Sequence, residues 1–151
     1  MLKIADYDIV FQEVPDETTL ALNLSCCPNH CAGCHSPQLW EDIGIELTTS
    51  VIDRLLERYT GVTCVGFMGG DNDHAGVLEL AKYVRGLGLH VAWYTGRPTL
   101  PDGWPLEYFD YIKVGPYIQA LGGLKSTTTN QRIYRISDGK MCDITSVFWK
   151  K

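Results

Sequence analysis

The order of its apolar segments predicts that this sequence folds as an α/β domain with parallel strands. Two strand-like segments at the N-terminus are followed by alternating helical and strand-like segments, and such alternation indicates strands joined by crossover helices. The segments at residues 63–68 and 90–94 are short, continuous apolar runs, which are typical of strands buried on both faces of a parallel sheet.

Turn and cap residues set the boundaries of these segments. Pro15 and Asp16 separate the first two strand-like segments, which are therefore expected to form an N-terminal hairpin. Residues 48–50 supply a helix N-cap, apolar residues follow at helical spacing, and Gly61 is expected to end that helix. The predicted elements are strand 8–14, strand 18–25, a helix from 48–50 to Gly61, strand 63–68, helix 74–86, strand 90–94, a strand within 108–114, and edge strand 131–136 before a turn at 138–139.

The chain fits a single domain, residues 1–151, because its length suits one hydrophobic core. Its net charge of -5 and the lack of a Lys/Arg block argue against the basic stripe of a nucleic-acid binder. No apolar run approaches the roughly 18 residues that a membrane span requires, and early acidic residues do not fit a secretory signal. We therefore expect a cytoplasmic protein that binds neither nucleic acid nor a membrane.

Three segments follow directly after predicted strands and are candidates for a functional site. They are residues 26–34, residues 69–73 and residues 95–97. Active sites of parallel α/β folds lie at the carboxyl ends of the strands, so we expect these three segments to converge at one edge of the sheet.

The cysteines are clustered, because four of the six fall within nine residues. In a cytosolic protein, clustered cysteines bind metal or perform redox chemistry more often than they form disulfides. The cysteines are Cys26, Cys27, Cys31, Cys34, Cys64 and Cys142.

From Cys27 the spacing is C-x3-C-x2-C, which places three thiolates on one short loop. Three thiolates leave one iron of a four-iron cluster without a protein ligand, whereas clusters used only for electron transfer have four cysteines. An open metal position can bind a substrate. On spacing alone, two alternatives remain: structural zinc held by the three cysteines with His30 or His35, and a redox pair of Cys26 with Cys27.

The spacing C-x3-C-x2-C resembles the signature of the radical S-adenosylmethionine (SAM) superfamily. The wider string CCPNHCAGCHSP resembles the anaerobic ribonucleoside-triphosphate reductase-activating proteins, and the resemblance runs from about residue 18 to about residue 136. Further matching stretches are Gly69-Gly70, Tyr94-Thr95-Gly96, Val114-Gly115-Pro116-Tyr117 and Asn130-Gln131-Arg132.

The resemblance implies the fold and the cofactors. The fold would be an incomplete βα barrel of the radical SAM type with an N-terminal hairpin. Cys27, Cys31 and Cys34 would hold a [4Fe–4S] cluster whose open iron is chelated by SAM. No catalytic residue is implied beyond these cluster ligands. The implied cofactor-binding residues are Gly33, Cys34, His35, Gly69, Gly70 and Asp71.

The resemblance also implies the reaction and the partners. One electron from a flavodoxin- or ferredoxin-type donor would break the bond between the SAM sulfonium and its 5′ carbon, which gives methionine and a 5′-deoxyadenosyl radical. That radical would take a hydrogen atom from a glycine of the partner, an anaerobic ribonucleoside-triphosphate reductase, and become 5′-deoxyadenosine. The cofactors supply the chemistry, and the protein positions them.

The sequence departs from the superfamily pattern at two places. No Pro follows the paired glycines, which leaves the roles of Asp71 and Asp73 open, and Gly33 stands where many members have an aromatic residue. Cys26 has no assigned role. Two alternatives therefore stand beside the activase: another glycyl-radical activase or small-molecule radical SAM enzyme, and a non-enzymatic zinc- or cluster-binding interaction module.

Other candidate residues have a structural interpretation. Cys64 lies in a predicted buried strand and is expected to be a core residue. His74 and His90 begin a helix and a strand, and both are interpreted as structural. Lys113 and Arg97 lie near the predicted active edge, where each either neutralises the SAM carboxylate or keeps its charged head at the surface.

Overall fold

In the computed structural model, which describes residues 1–11, 13–29, 39 and 41–149, eight strands form one mixed sheet. The strands are β1 Lys3–Val10, β2 Thr19–Leu24, β3 Ile45–Glu46, β4 Cys64–Met68, β5 His90–Tyr94, β6 Tyr111–Val114, β7 Arg132–Ser137 and β8 Lys140–Asp143. The α-helices of the described residues are α1 Thr49–Arg58 and α2 His74–Gly86, and short 3₁₀ helices lie at Leu106–Tyr108 and Thr145–Trp149.

The centre of the sheet is parallel and its two flanks are antiparallel. The strand order is β3-β1-β2-β4-β5-β6-β7-β8, in which β2, β4, β5 and β6 run parallel to one another. β1 pairs antiparallel with both β2 and β3, while β7 pairs antiparallel with β6 and β8. The parallel strands therefore all present their carboxyl ends at the same edge, where the candidate segments begin.

Three strands differ from what the sequence predicted. β1 spans Lys3–Val10 rather than residues 8–14. Its start was missed because Asp6 and Asp8 interrupt the apolar pattern while pointing to the exposed face of the strand. β3 and β8 were not predicted at all. Every residue of both strands is exposed, so neither carries the hydrophobic alternation by which a strand is recognised.

The turn predicted at Asp138-Gly139 is the two-residue loop of a hairpin between β7 and β8. Ser137 pairs with Lys140 across the turn, and both loop residues have positive φ, 51° at Asp138 and 73° at Gly139. Positive φ at both central positions defines a type I′ turn, for which Asp-Gly is a preferred sequence. The turn itself thus specifies the last strand pair, although β8 has no apolar pattern.

Helix α1 begins where the cap residues predicted and ends three residues before Gly61. The side chain of Thr48 accepts a hydrogen bond from the backbone N–H of Val51, 3.3 Å long, which satisfies a donor of the first turn. The helix closes at Arg58, with Tyr59 as its C-cap. Ile52 is its fully buried residue and anchors the helix to the sheet.

The two faces of the sheet have different surroundings. One face carries the main core, in which Phe67 of β4 and Trp93 of β5 are fully buried together with Val77 of α2 and Ile52 of α1. Burying an aromatic or branched side chain contributes about 1.5–3 kcal/mol, so this face supplies most of the hydrophobic stabilisation. The other face carries a smaller cluster that includes Val14, Cys64, Ala92 and Tyr111.

The amino ends of the parallel strands are held together by the buried side chain of Glu17. Its carboxylate accepts hydrogen bonds from the Thr63 hydroxyl at 2.7 Å and the Tyr111 hydroxyl at 3.0 Å, and it lies 2.6 Å from Nδ1 of His90. The structural interpretation of His90 is therefore confirmed. Cys64 is fully buried at the same end, which confirms it as a core residue, and burial raises the pKa of its thiol.

No helix among the residues that the structure describes combines the length and the hydrophobicity needed to cross a membrane.

Candidate functional site

Three strand ends meet at the carboxylate of Asp71. Asp71 follows β4, and its Oδ2 accepts a hydrogen bond from Nδ2 of Asn29, 2.5 Å away in the segment after β2. The same oxygen accepts from the backbone N–H of Gly96 at 2.9 Å, and Oδ1 accepts from the hydroxyl of Thr95 at 2.5 Å. The predicted convergence of residues 26–34, 69–73 and 95–97 is confirmed for the residues of these segments that the structure describes.

The side chain of Asp71 is almost completely buried, with 1% of its surface exposed. A fourth donor, Nε2–H of His74, lies 3.0 Å from Oδ1. Burial raises the pKa of the carboxyl, but the hydrogen bonds from Thr95, Asn29, His74 and Gly96 outweigh it, so the pKa of Asp71 lies below its ordinary value. An ionised carboxylate offers about four lone-pair sites, and protein donors occupy that number here. The predicted contact of Asp71 with a cofactor stays a prediction.

The first residues of the cysteine loop are held by backbone hydrogen bonds. The backbone N–H of Cys27 donates to the carbonyl of Leu39 at 2.8 Å, and that of Cys26 donates to the carbonyl of Glu41 at 3.0 Å. The segment that follows β2 is therefore hydrogen-bonded to Leu39 and Glu41, on the far side of the cysteine loop in the sequence. Cys27 is the one predicted cluster ligand among the residues that the structure describes. The other predicted ligands and the cofactor contacts of the loop fall outside those residues: Cys31, Gly33, Cys34 and His35.

Cys26 and Cys27 are adjacent in sequence but have different neighbours. Cys26 has a φ of 60°, and its thiol is directed at Asp42, with Sγ 3.6 Å from Oδ1. The thiol of Cys27 is half-buried and lies 3.7 Å from Nδ2 of Asn29. Cys27 thus belongs to the group around Asp71 and Cys26 does not, which supports the assignment of Cys27, rather than Cys26, as the first ligand.

The residues present fit an iron–sulfur group at this edge. Hydrogen bonds to the ligating sulfurs and limited solvent exposure are features of iron–sulfur sites, and Cys27 has both in its half-buried position beside the Asn29 amide. The other two thiols of the C-x3-C-x2-C spacing lie within seven positions of Cys27 in the sequence. A cluster bound here would be held by Cys27, Cys31 and Cys34.

The paired glycines after β4 make a turn that other residues cannot make without strain. Gly69 and Gly70 have φ values of 115° and 91°. A Cβ on Gly70 would lie 2.5 Å from Cγ2 of Val77. The carbonyl of Gly69 accepts from the indole N–H of Trp93 at 2.8 Å, and its own N–H donates to the carbonyl of Tyr94 at 3.0 Å. The turn is therefore fixed by the protein itself, and the predicted role of both glycines in SAM binding stays a prediction.

A row of four side chains, one from each parallel strand, lines a cavity of about 570 Å³. Asn23 pairs with Met68, Met68 with Tyr94, and Tyr94 with Lys113. Leu39, which also bonds the backbone of Cys27, lines the same cavity and joins it to the base of the cysteine loop. Another cavity, of about 460 Å³ between β1, β3 and α1, contains none of the motif residues.

Lys113 is buried within this row. Its ammonium donates to the carbonyl oxygens of Gly115 at 2.8 Å and Thr95 at 3.2 Å. The charge of Lys113 is therefore held at the cavity wall near the strand ends, rather than at the protein surface. A fixed cation at this wall suits an anionic group in the cavity.

The remaining predicted motifs pack against one another at the end of β6. The backbone N–H of Gly115 donates to the carbonyl of Arg97 at 2.7 Å, and Nδ2 of Asn130 donates to the carbonyl of Pro116 at 3.0 Å. Gly115 has a φ of 109°, and a Cβ there would lie 3.1 Å from Cα of Gln131. Residues far apart in sequence are thus brought into a single contact group.

Two residues of the site were not predicted as members of it. Asn29 sits between the cysteines, where its amide was not assigned a role, and His74 was interpreted only as a residue that begins α2. Both lie within hydrogen-bond distance of the Asp71 carboxylate. The contact of Asn29 joins segments that are 42 positions apart and leaves no local pattern in the sequence. A polar residue inside a cysteine loop is the one signal that pointed to Asn29.

The family model described as a 4Fe-4S single cluster domain matches residues 18–100 of this chain. The matched region is more than half of the chain, and it extends from the start of β2 to just beyond the Tyr94-Thr95-Gly96 strand end. No curated protein and no solved structure matches the chain.

Proposed function

The chain belongs to the family of 4Fe-4S single cluster domains, and from that premise we propose that it is a radical SAM activase that generates the glycyl radical on an anaerobic ribonucleoside-triphosphate reductase. The observation that carries this proposal is the meeting of three strand ends at Asp71, beside the first cysteine of a C-x3-C-x2-C loop. The cysteine spacing and the family match support an iron–sulfur cofactor in that loop.

The cluster ligands in this proposal are Cys27, Cys31 and Cys34. When bound, the cluster supplies the electron that cleaves SAM and an open iron that SAM chelates. The protein holds the first ligand near a strand end, since Cys27 lies three residues after the end of β2 and its backbone N–H donates to the carbonyl of Leu39. Cys26, directed at Asp42, stays outside the ligand set.

The cavity beside the loop is the proposed binding place for SAM. Its volume of about 570 Å³ lies in the range of small-molecule pockets, about 300–1,000 Å³. Lys113 presents an ammonium at the cavity wall and is suited to the SAM carboxylate. The proposal keeps Gly33, Cys34, His35, Gly69 and Gly70 as further cofactor contacts, with Asp71 holding the surrounding segments in place.

The proposal extends to the shape of the sheet, which would be the incomplete barrel of this class. Four parallel strands carry the row Asn23, Met68, Tyr94 and Lys113 on the face away from the main core. A cavity on that face is where an incomplete barrel would have its interior, and residues 1–151 would form one such domain. The α-helices lie against the opposite face.

The choice of a reductase as partner rests on three motifs that resemble the activating proteins. Gly115, Arg97 and Asn130 belong to or adjoin those motifs, and they are joined through backbone and amide hydrogen bonds at the end of β6. Motifs that pack together support a common role better than separate matches do. The electron donor in this proposal is of the flavodoxin or ferredoxin type.

The test is an anaerobic reconstitution in three steps. The protein is loaded with iron and sulfide and reduced with dithionite, and its EPR spectrum is recorded before and after SAM is added. 5′-Deoxyadenosine is then quantified, and the purified reductase is added last to look for a glycyl-radical signal. Cys27→Ala serves as the inactive variant and Cys142→Ala as its matched control, because Cys142 is exposed on β8.

The steps distinguish the proposed activase from each of its two alternatives. A SAM-dependent EPR change with 5′-deoxyadenosine but no radical on the reductase would favour another activase or a small-molecule radical SAM enzyme. Stoichiometric zinc and no cluster would favour the interaction module and would overturn the proposal.

A further inference from the structure

The amide of Asn29 bridges the first cluster cysteine and the buried carboxylate. Its Nδ2 lies 3.7 Å from Sγ of Cys27 and 2.5 Å from Oδ2 of Asp71. A primary amide nitrogen carries two hydrogens, so it can donate to both acceptors at once. The carboxylate oxygen is the stronger acceptor, because sulfur accepts hydrogen bonds only weakly and lies farther from the nitrogen. The carboxylate therefore orients the amide, whose second N–H reaches the sulfur.

The acceptor that orients Asn29 is itself held by three other hydrogen-bond donors. Asp71 is fixed by Thr95 at 2.5 Å, by the N–H of Gly96 at 2.9 Å and by His74 at 3.0 Å. A carboxylate with these partners cannot follow a displaced side chain without breaking other bonds. The position of the Asn29 amide is thus set by β4 and β5 and not by the cysteine loop alone.

Gly96 leaves the space that the amide occupies. A Cβ at position 96 would lie 2.5 Å from Nδ2 and 3.1 Å from Cγ of Asn29. The obstacle to that Cβ is the end of a flexible side chain, so an alanine at position 96 would displace the amide before it disturbed the sheet. The Tyr94-Thr95-Gly96 strand end thus leaves room for the amide because its third residue has no side chain.

We infer that Asn29 is a positioning residue that donates an N–H to the Cys27 thiolate and thereby raises the reduction potential of the bound cluster. Reduction adds negative charge that is shared by the ligating sulfurs, and a donor to one of them stabilises the reduced state more than the oxidised state. Asp71 and Gly96 act through Asn29, by orienting its amide and by leaving room for it. The inference rests on the proposed function only in taking Cys27 as a cluster ligand, and it requires no SAM.

The test is a potentiometric EPR titration of the reconstituted full-length protein without SAM. Asn29→Ala is expected to retain iron and sulfide but to be reduced at a more negative potential than the wild type. A tenfold change in the reduction equilibrium corresponds to about 59 mV for a one-electron couple, which this titration resolves. Tyr83→Phe is the matched control, because it removes a 2.6 Å side-chain hydrogen bond to Asp53 on the helical side of the protein.

A second variant tests the geometry. Gly96→Ala is expected to lower the potential in the same direction, because it displaces the amide. In the Asn29→Ala background the same substitution is expected to add almost nothing, since the group that it displaces has already gone. Additive shifts in the double variant would overturn the inference.

The remaining outcomes are also decisive. A fully loaded Asn29→Ala protein with the wild-type potential overturns the inference and leaves the proposed function untouched. If Asn29→Ala takes up no cluster, Gly96→Ala decides between a lowered potential, which supports the inference, and an unchanged one, which overturns it. A wild-type protein that binds no cluster overturns the inference together with the proposed function.

Discussion

The indole N–H of Trp93 donates to the carbonyl oxygen of Gly69 over 2.8 Å, and this bond ties the core of β5 to the turn after β4. The Trp93 ring also packs 4.7 Å from that of Trp104 and 6.1 Å from that of Phe109, measured between ring centroids. A fully buried side chain of the main core therefore fixes the backbone that precedes Asp71. The stability of the core and the geometry of the candidate site are coupled through this one residue.

Replacing Trp93 tests that coupling. Trp93→Phe removes the hydrogen bond and leaves the Gly69 carbonyl without that partner, which costs about 1–3 kcal/mol, and the smaller ring adds a packing loss. The free energy of unfolding, measured by anaerobic urea denaturation, is expected to fall by about 2–4 kcal/mol. Trp149→Phe, which removes a comparable 2.9 Å bond to Leu124 near the C-terminus, is expected to cost less because Trp149 is only half-buried.

The three loop cysteines are expected to be individually necessary for the cluster. Cys27→Ala, Cys31→Ala and Cys34→Ala should each lower the iron and sulfide content after anaerobic reconstitution by about tenfold or more, since each removes a thiolate ligand. Cys26→Ala should keep the cluster, because the Cys26 thiol is directed at Asp42. Full iron loading in any of the first three variants would remove that cysteine from the ligand set.

The turn after β4 predicts a contrast between two glycines. Gly70→Ala forces a Cβ into a backbone with a φ of 91° and to within 2.5 Å of Val77, so we expect a loss of about 2 kcal/mol or more. Gly86→Ala, at the end of α2, meets nothing within 4 Å and should leave stability unchanged or raise it by up to about 1 kcal/mol. Equal effects in urea denaturation would contradict this account of the turn.

The pKa of Asp71, held below its ordinary value of 3.8, predicts a pH-dependent contribution to stability. The unfolded carboxyl takes up a proton at a higher pH than the folded one, so stability rises with pH across this range. The contribution is complete above about pH 5 and is lost as the pH falls through the folded pKa. The variant Asp71→Asn lacks this pH-dependent contribution, because an amide side chain does not take up a proton in this pH range.

The measurement is acid unfolding of both proteins under anaerobic conditions, followed by far-UV circular dichroism. The stability difference between wild type and Asp71→Asn should be constant from about pH 5 to 7 and should shrink below about pH 4. A difference that stays the same at low pH would show that the pKa of Asp71 is the same in the folded and the unfolded protein.

Cysteine alkylation distinguishes the core thiol from the surface thiol. Cys64 is fully buried and burial raises the pKa of its thiol, whereas Cys142 is exposed on β8. Iodoacetamide at neutral pH should therefore modify Cys142 in the folded protein and modify Cys64 only after unfolding, because the thiolate is the reactive form. Peptide mass spectrometry reads both sites in a single sample.

The sequence predicted the elements that carry the candidate site more accurately than those at the flanks of the sheet. β4, α2 and β5 have strong apolar or helical patterns and appear within a residue of the predicted bounds. From those strands, the meeting of the segments around Asp71 followed because parallel strands end at one edge. The exposed strands β3 and β8 carry no such pattern, and they form because backbone pairing and a type I′ turn specify them.

The individual contacts within the site could not be predicted in the same way. The paired glycines were recognised as a motif, but their φ values and the proximity of Val77 are properties of the folded chain. The bridge from Cys27 through Asn29 to Asp71 depends on side chains from two strand ends, and no periodicity in either segment encodes it. Sequence patterns therefore locate the site, while the contacts that orient its groups require the structure.

The four parallel strands use one face to line the cavity and the opposite face to form the main core. Asn23, Met68 and Tyr94 face the cavity, whereas neighbours such as Phe67 and Trp93 face the main core, since successive residues of a strand alternate between faces. Substitutions in the row change what the cavity admits without removing a side chain from beneath the helices. The protein thus offers a compact set of positions for a combinatorial library, in which selectivity is varied on one side of the sheet and folding is sustained by the other.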